Sequence, residues 1–217
     1  MSQDPELWFP DGNCFVHLYG RGQSRRGPAF RVPYDALLAT HCRPLLDRFL
    51  IENCAESPVS DVSFQEDGGF FGQPAFRQYD LFIPAPPTSE REQAFLYHTA
   101  TRNFFAWIFG KPLVGSHLGG ALVGLLNSMH EFRSQGEDNV QATLDYMDQE
   151  GYADMRNVPD HALGVLFFAE HFKFTDLWID AFAHCVGMND ILITSAGFEV
   201  CNSCRVQLDL LLTSPSA

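Results

Sequence analysis

The feature that most limits the possible fold is a change in the spacing of apolar residues at the proline cluster that begins at Pro84. Before the prolines, apolar residues alternate with a period of two, which is typical of β-strands. After Ser89 they recur every three or four residues, which is typical of amphipathic helices. This order predicts an α+β fold with a small N-terminal β-sheet packed against a cluster of five or more helices.

The strand patterns fall in three segments, and the first two predict a hairpin. Residues 13–19 and 29–32 flank a polar, glycine-rich loop, so we expect a strand, a loop and a second strand. Residues 79–83 give the third strand, which the prolines end. Between the hairpin and this strand we predict two short helices, around Tyr34 and after Pro44, and then a poorly patterned stretch.

The C-terminal part predicts five longer helices, each opened by a capping residue or a proline. Their predicted starts are at Ser89, Ser116, Asn139, Pro159 and Thr175. Ser89 is predicted to form a capping box with Glu92. Ser116 and Thr175 are predicted to cap their helices through the side-chain hydroxyl.

The second of these helices has the most regular apolar stripe, formed by Leu122, Leu125 and Met129. A short connection follows at Gly136, and the next helix carries a stripe of its own. That second stripe consists of Val140, Leu144 and Met147. Because short connections favour antiparallel neighbours, we expect an αα-hairpin whose stripes face the core.

Composition places the chain among globular proteins. Of its 217 residues 46% are hydrophobic and 19% are charged. It has no run of about 20 apolar residues that would span a bilayer. The first residues are acidic and interrupted by proline, unlike a secretory signal, so we expect an intracellular protein.

The formal net charge of −13 is unevenly distributed. Residues 1–50 contain six arginines and five acidic residues, whereas the remainder contains eight basic and 22 acidic residues. An acidic surface repels phosphate, so we expect neither nucleic acid nor an anionic membrane as a partner. Solvation alone is the simpler explanation of the acidic excess.

The six cysteines are scattered, and in an intracellular protein they are expected to be reduced, buried thiols. Cys201 and Cys204 form one C-x-x-C pair, which is half of a zinc site or a redox dithiol in other proteins. The nearest further ligands, His184 and Cys185, are adjacent in sequence and therefore awkward as joint ligands. A zinc-stabilised fold stays a minor alternative, and no cofactor is expected.

No catalytic motif stands out. The eight histidines include no H-E-x-x-H or other metal spacing. The glycines at Gly20 and Gly22 connect two strands, so they lack the strand-to-helix turn of a phosphate-binding loop. Gly110-Lys111-Pro112 also lacks that turn, so we interpret it as the end of a helix and not as a phosphate-binding loop. We therefore expect a protein without catalytic residues.

The order of hairpin, short helices, strand and paired helices resembles the BTB/POZ domain. The segments that carry the resemblance are residues 30–50, residues 79–83 with 101–110, and residues 162–185. The resemblance implies a BTB/POZ-like fold for residues 11–190 with a two-helix insertion at about 116–152. Residues 191–217 would then be a divergent or truncated C-terminal tail.

A closer resemblance is to an uncharacterised family of filamentous-fungal proteins with a BTB/POZ-like N-terminal domain. It rests on the runs Ala100-Thr101-Arg102-Asn103, Phe109-Gly110-Lys111-Pro112-Leu113-Val114-Gly115, Pro159-Asp160-His161-Ala162-Leu163, Trp178-Ile179-Asp180-Ala181-Phe182 and His184-Cys185-Val186-Gly187-Met188. The BTB resemblance implies a protein-interaction role, by self-association as a homodimer or as an adaptor for a partner such as a cullin-type scaffold.

The predicted partner surface is the N-terminal hairpin and short helices, because only that segment lacks an acidic excess. Its candidate contact residues are Arg21, Arg25, Arg26, Tyr34 and Leu38. A solvated turn is the simpler interpretation of the three arginines. The alternative function is a small-molecule binding or enzymatic domain with a pocket between the two inserted helices.

Overall fold

A computed structural model describes residues 3–53 and 77–192. The chain divides into two compact units, residues 1–88 and residues 89–217. The first unit contains the sheet and the second unit is helical over its described residues. The boundary falls at the change of periodicity near Pro84, and the protein is α+β as predicted.

The first unit is built on a four-stranded sheet with the strand order β2-β1-β4-β3. The strands are β1 Cys14–His17, β2 Phe30–Val32, β3 Leu50–Asn53 and β4 Gln78–Phe82. β1 and β4 are parallel, and the outer pairs β1–β2 and β3–β4 are antiparallel. Two helices, α1 Tyr34–Ala39 and α2 Arg43–Phe49, lie between β2 and β3 in the chain.

The alternating pattern correctly locates β1, β2 and β4, and in β1 and β2 its apolar residues are buried. Cys14 and Val16 of β1 are buried, as are Phe30 and Val32 of β2. The prediction is wrong at β3, where the sequence predicts the end of a helix and the start of an unpatterned stretch. β3 has no alternating pattern and is fixed by its pairing with β4, with Leu50 opposite Leu81.

The second unit consists of α3 to α8. Their bounds are α3 Arg91–Ile108, α4 Leu118–Phe132, α5 Asn139–Gln149, α6 Pro159–Phe172, α7 Thr175–Gly187 and the short α8 Asn189–Leu192. The five predicted longer helices are all present, with starts displaced by up to two residues. Whether α4 and α5 form an insertion in a BTB/POZ domain stays a prediction.

α4 is the central helix of the second unit. Leu122, Leu125 and Met129 are fully buried, as the apolar stripe predicts. On α5, Met147 is buried, and the buried hydroxyl of Thr143 donates a hydrogen bond of 3.2 Å to the sulfur of Met129. The stripe on α5 is therefore partly polar, and it lies against α4 in the expected hairpin.

Two glycines set the close approach of α4 to α6. A Cβ atom on Gly164 would lie 2.8 Å from Cβ of Leu118 and 3.1 Å from the backbone nitrogen of Gly119. A Cβ atom on Gly119 would lie 2.9 Å from the carbonyl oxygen of Gly164. The two helix backbones can therefore touch only because both positions lack side chains.

Three of the predicted helix caps are wrong. The capping box of α3 is formed by Glu90 and Gln93, one residue after the predicted Ser89 and Glu92. α4 is capped by His117 and not by Ser116, because the imidazole accepts the free backbone N–H of Gly120. α7 has Phe174 at its N-cap position with no side-chain hydrogen bond, and Thr175 is its first helical residue. The pattern of apolar residues thus locates the helices but not the residue that caps each of them.

Candidate functional site

A groove with a volume of about 470 Å³ lies between α3 and α4. We call it the α3–α4 groove and define it by Leu96 and Tyr97 of α3, Val114 of the α3–α4 loop, Val123 and Glu131 of α4, and Phe167 of α6. α4 contributes to this groove and α5 does not, so the groove is not the pocket expected between the inserted helices, and that pocket stays a prediction.

The groove exists because small residues let α3 and α4 pack closely along its base. A Cβ atom on Gly124 would lie only 3.0 Å from Cβ of Ala100. Ala121 and Gly120 continue the small residues toward the start of α4. Larger side chains at these positions would fill the groove or separate the helices.

One wall of the groove is the α3–α4 loop, which is fixed by buried polar groups of α3. The side-chain amide of Asn103 donates to the carbonyl of Val114 at 2.8 Å and its oxygen accepts from the N–H of Val114 at 2.9 Å. The buried guanidinium of Arg102 donates to the carbonyl of Pro112 at 2.5 Å. The loop therefore has its own backbone groups paired, as a fixed wall requires.

Two tyrosines hold the same loop through their hydroxyl groups. Tyr146 donates to the carbonyl of Lys111 at 2.5 Å, and Tyr152 accepts from the N–H of Leu113 at 2.9 Å. Burial raises the pKa of both tyrosines above the usual value, and the neighbouring carboxylate of Glu150 adds to the effect. Both hydroxyls therefore stay protonated at neutral pH and keep these hydrogen bonds.

His117 lies where the fixed loop joins α4 and also lines the groove. Its Nδ1 accepts from the N–H of Gly120 at 3.0 Å, so the neutral ring carries its proton on Nε2. Burial lowers the pKa of His117. The ring packs edge-on against Phe167, with 5.3 Å between the ring centres. His117 is therefore a neutral cap that supports the groove.

The opposite end of the groove is polar. The hydroxyl of Tyr97 donates to Oε1 of Glu131 at 3.3 Å, and the exposed side chains of Asn127 and His171 lie along the rim. Glu131 is the one carboxylate among the groove residues, and no lysine or arginine lines the groove.

Aliphatic side chains on the groove rim are exposed to solvent. Leu96 is 56% exposed and Val114 is 43% exposed. The neighbouring Phe95 is 58% exposed but does not line the groove. An exposed apolar rim on a fixed frame is a property of binding surfaces.

The three predicted arginines lie on the loop between β1 and β2, and all three are exposed. The base of this loop is held by Tyr19, whose hydroxyl donates to the carbonyls of Arg26 and Gly27. His17 Nδ1 lies 3.0 Å from the Tyr19 hydroxyl, and His17 Nε2 lies 2.9 Å from Oδ1 of Asp80. This chain of polar groups is buried at His17 and Asp80, joins β1 to β4 and anchors one end of the loop.

Tyr34 and Leu38 lie on α1, whereas Arg21, Arg25 and Arg26 lie on the β1–β2 loop. The ring of Tyr34 stacks on Tyr79 at 3.9 Å between ring centres, so part of its surface is already used within the unit. Leu38 is 43% exposed. The role of all five residues in partner binding stays a prediction.

The three described cysteines, Cys14, Cys42 and Cys185, are buried and form no disulfide. Burial and the nearby carboxylate of Asp80 raise the pKa of Cys14 to about 12, and burial raises that of Cys185 to about 12. Both thiols are therefore protonated and weakly nucleophilic at neutral pH. Cys201 and Cys204 lie outside the described residues. Within residues 3–53 and 77–192, no group of three His, Cys, Asp or Glu residues is arranged to hold a metal ion.

Comparison with known proteins gives one partial similarity. Residues 140–208 match the model of a family described as a domain of unknown function, DUF8004. The match covers less than half of the chain and includes only Phe167 and His171 of the groove residues. No curated protein and no solved structure matches the chain. Among the helices of the described part, none is long and apolar enough to cross a membrane.

The groove is not predictable from the sequence pattern, because its residues come from three separate segments. The apolar stripe of α4 predicted a core face but gave no information on the opposite face, where Gly120 and Gly124 lie. One clue was available. Small residues recur on α4 at Gly120 and Gly124, four residues apart, and such spacing is typical of a close helix crossing.

Proposed function

We propose that this chain is a non-catalytic protein-interaction module that acts by self-association or as an adaptor. The observation that carries the proposal is the α3–α4 groove, an open apolar surface with exposed Leu96 and Val114 on a fixed frame. The core of a protein interface is apolar, depleted of charge and surrounded by a polar rim. The groove has this composition, with Asn127, Glu131 and His171 at its edge.

The fixed wall supports a binding role. Asn103 and Arg102 hold the loop from one helix, and Tyr146 and Tyr152 hold it from another part of the unit. A surface that is already ordered loses little conformational entropy when a partner binds. A modest apolar contact in the groove can therefore give measurable binding.

The ionisable groups of the groove favour binding over catalysis. His117 is occupied as a helix cap, because its Nδ1 accepts a backbone N–H. Glu131 is exposed at the rim, where water competes for its charge. A general base usually needs a pKa shifted toward neutrality by burial or by a neighbouring charge, together with access to substrate.

Small-molecule binding is the second candidate function. The groove volume of about 470 Å³ is within the range of ligand pockets, roughly 300 to 1,000 Å³. The groove is lined mainly by apolar residues with a few polar groups, as such pockets are. A screen of metabolites by thermal shift tests this alternative, which would require a small molecule to raise the melting temperature.

Light scattering over a range of concentrations, combined with affinity purification from native cell extract, tests the proposed function. We expect either a concentration-dependent dimer or a retained protein that mass spectrometry identifies. The two results separate self-association from an adaptor role, for which a cullin-type scaffold is the candidate that the BTB/POZ resemblance suggests. A monomer at all concentrations that also retains no protein would contradict the proposal.

A further inference from the structure

We propose that the outer face of α7 is a docking surface for residues 193–208 of the same chain. We call this surface the α7 outer face and define it by Ile179, Phe182, Ala183 and Val186. It shares no residue with the α3–α4 groove. The inference concerns how the second unit is completed, and it does not depend on the proposed function.

α7 is apolar on two sides. Its inner side includes Ala181 and Cys185, which are fully buried. The four residues of the α7 outer face have the spacing i, i+3, i+4 and i+7, which places them on one side of a helix. Ile179 is 56% exposed and Val186 is 39% exposed, so the described residues leave this face open to water. A helix that is apolar on both sides is typical of a buried position.

The α7 outer face has a large edge and a small edge. On the large edge the ring of Trp178 stacks on that of Phe182, with 4.8 Å between the ring centres. On the small edge Ala183 and Gly187 line a groove of about 410 Å³, which extends to Asn157 in the loop before α6. An apolar side chain can therefore enter the groove while its neighbours pack on the stacked rings.

Residues 193–208 begin where α7 ends. The N–H of Ile191 in α8 donates to the carbonyl of Met188 at 2.8 Å, and Leu192 is buried in the core of the unit. The thirteen residues of α7 extend about 20 Å. Sixteen residues reach about 24 Å as a helix and further when extended. The segment is therefore long enough to return along the whole of α7.

The composition of residues 193–208 fits an apolar surface with an acidic edge. Eight of the sixteen residues are apolar, namely Ile193, Ala196, Phe198, Val200, Cys201, Cys204, Val206 and Leu208. The segment carries one acidic residue, Glu199, and one basic residue, Arg205, so its formal charge is zero. Exposed Asp176 and Asp180 flank the α7 outer face. A second copy would bring the same carboxylates against them, whereas this segment does not, and Arg205 can pair with either.

The family match supports this occupant. Residues 140–208 match a single family model, and this range runs from α5 through α8 and continues for sixteen residues beyond Leu192. The similarity therefore does not end with α8, which indicates that residues 193–208 belong to one unit with α5 to α8. The α7 outer face is the nearest exposed helix face in the chain on which this segment can bury its apolar side chains.

Photo-crosslinking of the purified full chain tests the inference. A benzophenone amino acid is placed at Ile179 in one protein and at Val186 in a second. The control protein carries it at Phe95 of α3, which is 58% exposed. Unlabelled and nitrogen-15-labelled copies are mixed before irradiation, so that mass spectrometry separates crosslinks within a chain from those between copies. We expect positions 179 and 186 to crosslink to residues 193–208 of the same chain and position 95 not to do so.

Hydrogen exchange gives a second test that needs no crosslinker. Ile179→Asp places a charge in the α7 outer face and should speed exchange of the amides of residues 193–208 by at least about fivefold. Phe95→Asp introduces the same charge at a similarly exposed position and should leave those rates within about twofold of wild type. Circular dichroism checks that both variants keep their helices.

Any one of three results would overturn the inference. The first is crosslinks from positions 179 and 186 that join only different copies, which would assign the α7 outer face to self-association. The second is crosslinks that miss residues 193–208. The third is equal exchange of residues 193–208 in wild type and Ile179→Asp. None of these results involves the α3–α4 groove, so light scattering and purification from extract still decide the proposed function separately.

Discussion

The β1–β2 loop and the α3–α4 groove are the two candidate partner surfaces, and they differ in how they are held. The β1–β2 loop is polar, with three exposed arginines, and is anchored at its base by Tyr19. The groove is apolar with a carboxylate at one end, and residues 111–114 of its wall are hydrogen-bonded to Asn103 and three other side chains. The difference shows that a cluster of arginines in the sequence does not identify the surface whose backbone is held by more side-chain hydrogen bonds.

The largest effect in this comparison should come from α4, on which the groove is built. Leu125 is fully buried, so Leu125→Asp places an unpaired carboxylate in the core. We expect a loss of about 4 kcal/mol or more of unfolding free energy, measured by denaturant titration of helical circular dichroism. Leu96→Asp, at the exposed rim, should change stability by no more than about 0.5 kcal/mol. Equal effects would show that α4 does not bury this face.

Substitution of Gly164, at the close contact between α4 and α6, should have a smaller effect on stability. Gly187, which has open space around it, provides the control. Gly164→Ala must displace Leu118 or the helix backbone and should cost about 1 to 3 kcal/mol. Gly187→Ala, at the end of α7, meets no atom within 4 Å and should stabilise the fold by up to about 1 kcal/mol. Melting temperatures that shift in the same direction for both variants would contradict the close packing.

The difference between the two loops can be tested by removing one side-chain hydrogen-bonding group from each. Asn103→Ala removes both bonds to Val114 and should cost about 1 to 2 kcal/mol, with faster hydrogen exchange of the Val114 amide. Ser24→Ala removes the acceptor for the N–H of Arg26 in the exposed loop and should cost less than about 0.5 kcal/mol. If the Val114 amide exchanges equally fast in wild type and Asn103→Ala, the wall is not held as described.

The smallest effect should appear as a pH dependence at the start of α4. Burial lowers the pKa of His117 in the fold, so the unfolded chain binds a proton more readily. The stabilisation by the neutral cap is therefore present above the ordinary histidine pKa of about 6.5 and is lost as the pH falls from there through the lowered value. His117→Asn keeps a capping acceptor and should flatten this part of the stability profile. The expected change is at most about 1 kcal/mol, and an identical profile for the two proteins would contradict the assigned cap.

The elements that the sequence predicts are those whose pattern reflects burial on one side. Cys14 and Val16 alternate on β1, and Leu122, Leu125 and Met129 recur on α4, so both elements were located correctly. β3 was missed because its backbone pairing with β4 determines it, and no local pattern does. The sequence predicts Ser116 as the cap of α4, one residue before the actual cap His117, because serine is the commoner capping residue.

The candidate site was harder to predict than the fold. The contact between Asn103 and Val114, and that between Tyr97 and Glu131, join residues that are 11 and 34 positions apart. A single sequence does not show which distant polar side chains pair. It does show that α4 is rich in glycine, and that feature of the groove was open to prediction.

Photo-crosslinking from the groove tests most directly whether the chain binds a protein there. A benzophenone amino acid is placed at Leu96 in one protein and at Phe95 in another, and both are irradiated in native cell extract. If the chain is an interaction module that uses the groove, position 96 should give a crosslinked polypeptide that mass spectrometry identifies and that position 95 gives weakly or not at all. The same crosslinks from both positions, or no crosslinked protein from position 96, would contradict that claim.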